Sequence, residues 1–272
     1  MRESSGEPAN GLEWFGREVE EALRHKGAKA RDLVAYSGYK EPYVSKVRHG
    51  QAKPSPEFAR KCDAFFDTSG FFARTLVRIS ERGGHPSWFI PFLKLEREAT
   101  QIAQYSNSTV TGLLQTPAYA SAIFKSAFPR ESEERTAARI DDRMRRREVM
   151  ERDTPPLLWA ILHESTLRTV VGGRRVMAEQ LHHIVNSVGP NITVQVLPFV
   201  AGAPASNLPF TLFAQEDGST VLYSETLGLG HVSDSRGDVT ESQATYDRLR
   251  AAALPCEKSQ AFITQVAEEY GR

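Results

Sequence analysis

Two groups of residues in this chain have types and spacings that could do chemistry. The first lies in YSGYKEPYVSKVRHGQAKPSPEFA, residues 36–59, a short basic segment that follows a glycine turn and ends at two prolines. A lysine there can donate to a guanine edge, a carboxylate can accept from a cytosine amino group, and a tyrosine can touch a base, a sugar or a phosphate. Lys40, Glu41, Tyr43 and Lys46 are therefore assigned to base reading. Lys29, Arg48, His49 and Lys53 are assigned to phosphate, where they would set position without reading sequence. Glu41 has a second role, which is favoured: beside Pro42 it starts a helix, because proline suits a first turn and a carboxylate meets the positive end of the dipole.

The second group is His163, Glu164 and Ser165. A zinc-protease helix needs H-E-x-x-H, and here Leu167 replaces the second histidine, so a metal would be a ligand short. Ser165 has a histidine nearby but no nucleophile elbow around it. His182 and His183 are adjacent and point about 100° apart on a helix, so they cannot face one metal. Cys62 and Cys256 stand alone, without the paired spacing of zinc, thiol exchange or a disulfide framework. Neither a Walker loop nor a dinucleotide G-x-G-x-x-G is present. No catalytic residue, metal or cofactor is assigned, and the chain is read as not an enzyme.

The elements that must hold the first group are legible in the spacing of apolar residues. Leu12, Phe15, Val19, Ala22 and Leu23 recur at helical intervals until Gly27. A second helix fits Lys29–Tyr36 with Leu33 and Val34 inward, Gly38 allows a tight turn, and a third runs from Glu41 to His49 on Val44 and Val47. Two more helices fit Pro56–Phe66 and Phe71–Arg82. This is the arrangement in which one helix lies across a DNA backbone while the next enters the major groove.

Gly83, Gly84, His85 and Pro86 break the pattern, which sets the expected boundaries: a loose tail over 1–10, a helix-turn-helix domain over 11–84 and a second domain over 85–272. In the second domain helices alternate with strands. Thr100–Ser106, LLWAIL and ITVQVLPF read as strands, and Asp217-Gly218 between two β-rich runs signals a hairpin. Helices are expected over Ser87–Ala99, from Pro117, through SEERTAARIDDRMRRREVM, over Glu164–Val171 and Arg174–Ser187, and over Val239–Ala253 and Glu257–Tyr270. RMRRRE reads as a solvated helix end and Arg236-Gly237-Asp238 as a loop. The predicted fold class is α+β, an all-α five-helix domain followed by a larger mixed domain. Trp88, Phe89, Phe92, Trp159, Phe199, Phe210 and Phe213 are enough aromatics to line a small-molecule pocket in it, although most of them are expected to be core.

At 272 residues, with 40% hydrophobic and 25% charged, the chain is of a length and composition to build two cores. Its 34 basic and 34 acidic residues cancel, but not evenly. From Arg24 to Lys61 there are ten lysines and arginines against three carboxylates, which is +7 and leaves −7 for the remainder. One positive face is the electrostatic footprint that phosphates require. No apolar run approaches the roughly 20 residues that span a bilayer, and no signal peptide is read, so a cytoplasmic protein without a membrane partner is expected.

With YVSKVRHGQAKPSPEFARKCD as recognition helix, loop and fourth helix, residues 12–82 resemble the DNA-binding domain of the XRE/Cro family of helix-turn-helix regulators. Lys29-Ala30 stands where that family usually has Ser-Gln, and Arg48 where a glutamate is common. The segments LEREATQIAQYSNSTVTGLLQTPAYA, PPLLWAILHESTLRTVVGG, ITVQVLPFVAG and YDRLRAAAL extend the likeness to nearly the whole chain. They resemble the WhiJ-like regulators of actinomycetes, with Thr111 in place of the proline before GLLQT. The resemblance implies a transcription regulator, in the simplest case a repressor, often encoded beside a small partner protein in the manner of toxin–antitoxin pairs. The expected partners are double-stranded DNA, a second copy in a homodimer, and a neighbour-encoded protein or a small-molecule ligand on the second domain. The alternative is an antitoxin-like interaction protein that sequesters the small partner, with DNA binding secondary.

Overall fold

The computed structural model describes residues 11–81, 89–226 and 229–271, and the chain divides into two compact units, Met1–Ile90 and Pro91–Arg272. The expected tail at 1–10, the Gly83–Pro86 break and Trp88 lie outside the described residues. A helical N-terminal unit precedes a unit of mixed sheet and helices, so the chain is α+β, as the pattern predicts. Among the described residues no helix is long and apolar enough to cross a membrane.

The first unit contains α1 (Gly11–Lys26), α2 (Ala30–Ser37), α3 (Glu41–Arg48), α4 (Pro56–Phe66) and α5 (Phe71–Glu81). Phe15, Val19, Leu23, Leu33, Val44, Val47, Phe58 and Phe72 meet in one buried core, each from the apolar stripe of its helix. Gly38 ends α2 in the left-handed conformation (φ 74°), and no atom lies within 4 Å of where a side chain would begin, so conformation rather than crowding selects glycine there. The turn into α5 is held by a carboxylate: buried Asp63 of α4 accepts from Phe72 N (2.8 Å), Ala73 N (2.9 Å) and Thr68 Oγ1 (2.6 Å). It satisfies amides that the first turn of α5 leaves without helical partners.

The second unit opens in α6 (Ile90–Glu98) and is built on a six-stranded sheet of order β3-β2-β1-β4-β5-β6. β1 (Gln101–Ser106), β2 (Leu157–His163) and β3 (Ile192–Leu197) run parallel, with Gln101 opposite Leu157 and Leu158 opposite Ile192. Parallel neighbours need long crossovers. α7 (Pro117–Ala127) and α8 (Glu133–Arg145) make the first, α9 (Glu164–Arg168) and α10 (Arg174–Ser187) the second. β4 (Phe210–Ala214), β5 (Thr220–Thr226) and β6 (Leu229–Ser233) continue the sheet antiparallel from β1. The β4–β5 turn is the Asp217-Gly218 hairpin, with Gly218 at φ 82°. α11 (Arg236–Ala252) and α12 (Cys256–Gly271) close the chain, and α11 lays Tyr246 and Leu249 on Ala103, Tyr105, Ile161, Phe210 and Leu212. The outer edge of β3 is sealed, because Val196 O accepts from Leu254 N (2.8 Å) and Val196 N donates to Ser259 Oγ (3.0 Å). The outer edge of β6 has no backbone partner among the described residues.

Four local expectations are corrected. Residues 229–233 form β6, a strand the pattern does not announce, because β5 offers a free edge to pair with. Arg236-Gly237-Asp238 is the first turn of α11 instead of a loop, with Ser235 Oγ accepting from Asp238 N (3.2 Å) as its N-cap. The helix expected through Glu164–Val171 stops at Arg168. RMRRRE is only in part a solvated helix end: α8 tightens into a 3-10 turn over Arg146–Glu151, and Arg143 and Arg146 turn inward while Arg145 stays 66% exposed.

Arg146 Nε and one terminal nitrogen donate to the two carboxylate oxygens of Glu96, both at 2.8 Å, with the two side chains 9% and 4% exposed. The guanidinium lies 5.0 Å from the Phe92 ring centre and close over Gly112, where a Cβ would sit 3.1 Å from its nitrogens. Arg143 donates to Gln115 Oε1 (2.6 Å). Burial, with the charge of Arg146 beside it, pulls the pKa of Arg143 down to about 9. Gln115 Nε2 in turn donates to Val110 O (2.6 Å), and Gln180 bridges Leu114 O (2.6 Å) and Thr116 N (2.7 Å). The segment TVTGLLQT is thus tied to α8 and α10 by side-chain amides. Glu96→Ala leaves a buried guanidinium without its carboxylate and is expected to destabilise the second unit by about 3–5 kcal/mol, whereas Glu96→Met with Arg146→Met should recover most of the loss. Urea unfolding of the two variants, followed through the second unit, checks both.

Candidate nucleic-acid interface

The segment assigned to base reading becomes α3, and its placement is set from behind. Val44 and Val47 are 1% and 0% exposed, and they anchor one side of the helix in the core. The far end of α3 rests directly on α1. A Cβ at Gly16 would stand 2.2 Å from Arg48 O and 2.8 Å from Val47 O, so only glycine lets the two backbones approach this closely. Gly50, in the left-handed conformation (φ 66°), brings the exit loop against Glu13 of α1, where a Cβ would meet backbone at 2.8 Å.

Position along a helix then decides which side chains face out. Glu41, Pro42, Ser45, Lys46 and His49 fall within an arc of about 140° opposite the two valines. Of these, Glu41, Pro42, Lys46 and His49 are exposed and Ser45 is half-buried. Lys40 is exposed at the N-cap, where its carbonyl accepts from Tyr43 N (3.0 Å) and Val44 N (3.2 Å). Glu41-Pro42 occupies the first turn of α3, the capping place expected for it. Lys53 is exposed in the loop after α3, and Lys29 is exposed at the start of α2, where its amide donates to Asp32 Oδ2 (2.7 Å).

Three assigned residues are already engaged. Tyr43 is turned into the unit: its ring stacks on Tyr39 at 4.8 Å, meets Phe58 edge-on at 5.5 Å, and its hydroxyl accepts from Ser55 N at 2.8 Å. Ser55 Oγ also bonds Tyr39 OH (2.7 Å) and caps α4 by accepting from Phe58 N (3.0 Å). Tyr43 therefore fixes the α3–α4 loop, and any part it takes in reading is through the position of α3. Arg48 Nε donates to Glu20 Oε1 of α1 at 2.7 Å. His49 Nδ1 lies 2.8 Å from Ser45 O, a local bond that orients its ring. Ser45, absent from the assigned set, shares the outward arc with Lys46, and counting helical positions from Val44 and Val47 is the signal that finds it.

The second group is a helix cap. His163 Nδ1 sits 2.6 Å from Ser165 Oγ and 3.3 Å from Ser165 N, and Ser165 Oγ donates to Asn107 O (2.6 Å). Burial lowers the pKa of His163, partly offset by Glu164. Glu164 is committed to Arg168 Nε (2.6 Å) and Phe199 N (2.8 Å). His182 is exposed, while His183 takes an Arg147 contact at 3.0 Å, and burial followed by that charge lowers its pKa. Among the described residues no group of three or more His, Cys, Asp or Glu is placed to hold a metal ion. The described aromatics do not share one pocket. Phe213 packs Phe92 at 5.3 Å on one face of the sheet, and Phe210, three residues away on the same strand, faces the other with Trp159. Phe199 is 51% exposed.

A five-helix unit with an outward basic helix, joined to an α+β unit with a six-stranded sheet, describes the class of protein this is. The model of the family described as Domain of unknown function (DUF5753) matches residues 89–265, and the chain belongs to that family. No curated protein and no solved structure matches it.

Replacing Gly16 with alanine forces α3 off α1 and is expected to cost about 1–3 kcal/mol, as overpacking does. Arg48→Ala, which breaks a part-exposed ion pair, should cost about 1 kcal/mol or less. Thermal melts of the two variants, read through the first unit, rank packing against charge at this contact.

Proposed function

We propose that the protein is a sequence-specific DNA-binding regulator of the helix-turn-helix type, related to the XRE/Cro regulators, with α3 as its reading helix. The observation that carries this reading is the division of α3 into two sides: Val44 and Val47 bound into the core, and Glu41, Ser45, Lys46 and His49 facing out. A helix so anchored presents side chains to a major groove without itself having to move. The positive balance of residues 24–61 supplies phosphate attraction, with Lys29, Lys40 and Lys53 free on the surface to provide it. In this reading Lys46 takes a guanine edge, Glu41 lies at the groove end of the dipole, and Arg48 and Tyr43 keep α3 in place.

A homodimer would set two such helices one turn of duplex apart, roughly 34 Å, on a near-palindromic site. Occupying that site in competition with polymerase makes repression the simplest outcome, exercised in the cytoplasm. The second unit would carry the partner or ligand that modulates it. One observation favours a protein partner there, and with it the antitoxin-like reading: Phe199, Val200 and Leu208 are 51%, 94% and 59% exposed on one connection between β3 and β4.

Genomic fragments captured by the purified protein identify the site, and titration on that duplex tests the reading. Affinity should fall steeply with salt, and Lys46→Ala should weaken binding by about 1–3 kcal/mol while relaxing preference at one base pair. Binding without sequence preference, or unchanged by Lys46→Ala, removes α3 as the reader.

A further inference from the structure

The second unit contains a groove of about 240 Å3 between α11, the β4–β5 pair and the connection that enters β4. Its floor is apolar, made by Phe210 and Leu222, and Leu208 stands at its side. One wall is set by a closed turn, in which Ser206 Oγ donates to Leu208 O (2.8 Å) and accepts from Leu208 N (3.2 Å), followed directly by Pro209. The opposite wall is α11, where Glu241, Ser242 and Thr245 fall within about 100° of one another and so face the same way.

The polar groups on these walls are available. Glu241, Ser242 of α11 and Ser224 of β5 have no side-chain hydrogen bond or ion pair among the described residues. Thr245 Oγ1 accepts from Arg248 (3.0 Å), which leaves its own proton to donate. Glu241 is the only charged residue in the lining, so the groove offers one anionic acceptor, several hydroxyls and a hydrocarbon floor. At ~30 Å3 per water the space equals about eight waters, which suits a ligand of amino-acid size.

We propose that this groove is a binding site for a small organic cation, an amine or guanidine on a short aliphatic body. The cationic head pairs with Glu241, the hydroxyls of Ser224, Ser242 and Thr245 supply the remaining hydrogen bonds, and the chain lies on Phe210 and Leu222. Glu241 is exposed at the mouth of the groove, so its attraction for a cation is that of a surface ion pair, to which the hydroxyls and the apolar floor add, and an anion is repelled. The site is independent of DNA reading by α3, because its test uses the full chain without DNA.

Calorimetric titration with agmatine, with butyrate as the anionic counterpart, decides it. Agmatine is expected to bind saturably with a dissociation constant of about 1 mM or tighter, and butyrate not to bind. Glu241→Gln should weaken agmatine at least about fivefold, the equivalent of one ion pair. Ser242→Trp, which fills the groove and keeps the carboxylate, should abolish binding. Glu241 is exposed and Ser242 half-buried on α11, and circular dichroism verifies that each variant is folded. Absent saturation by agmatine, equal binding of butyrate, or retention of affinity in either folded variant overturns the proposal; loss in Glu241→Gln alone would mean a surface ion pair without a site.

Discussion

The contact between α1 and the end of α3, made possible by the missing side chain at Gly16, is the constraint on which the first unit depends. Helices normally pack with a layer of side chains between their axes, 8–10 Å apart. Here a carbonyl of α3 occupies the space a methyl group would take. Once α3 is seated this deeply, its valines reach the core shared with Phe15, Phe58 and Phe72, and its opposite side has nowhere to go but solvent. The outward position of Lys46 and Glu41 is therefore a consequence of backbone contact on the other side, reinforced by the Arg48–Glu20 pair and the Tyr43–Ser55 bond.

The second unit solves a different problem, how to bury an arginine-rich segment. Arg146 is neutralised by Glu96, Arg143 is met by a neutral amide, and the small residue Gly112 leaves room for the planar guanidinium. Such pairs contribute little net stability compared with hydrocarbon of the same size, but they penalise every arrangement in which one partner is buried alone. The same polar logic extends through Gln115 and Gln180 to the TVTGLLQT segment. What would otherwise be a long loop is thereby specified residue by residue.

The features legible in the sequence were those whose cause is local. Val44 and Val47, three apart, are enough to orient α3; Pro56 marks the start of α4; Asp217-Gly218 marks a turn because the backbone there needs a glycine. The features that escaped have causes distant in the chain. Arg146 meets a glutamate fifty residues before it, Tyr43 is turned inward by Ser55 and Phe58, and Arg48 is held by Glu20. Strand β6 has one glycine and one histidine among its five residues and owes its form to β5. Three of the eight residues assigned to DNA thus turn out to have partners inside the chain: those of Arg48 and Tyr43 are distant in sequence, whereas His49 bonds Ser45 four residues before it.

The two borders of the sheet are unequal: Leu254 and Ser259 occupy the rim of β3, whereas β6 offers its rim bare among the described residues. A ribbon that can be lengthened from one side has a valence of one. Joining rim to rim terminates at a pair, and the head-to-tail chain growth that leads to fibrils is denied a second sticky end.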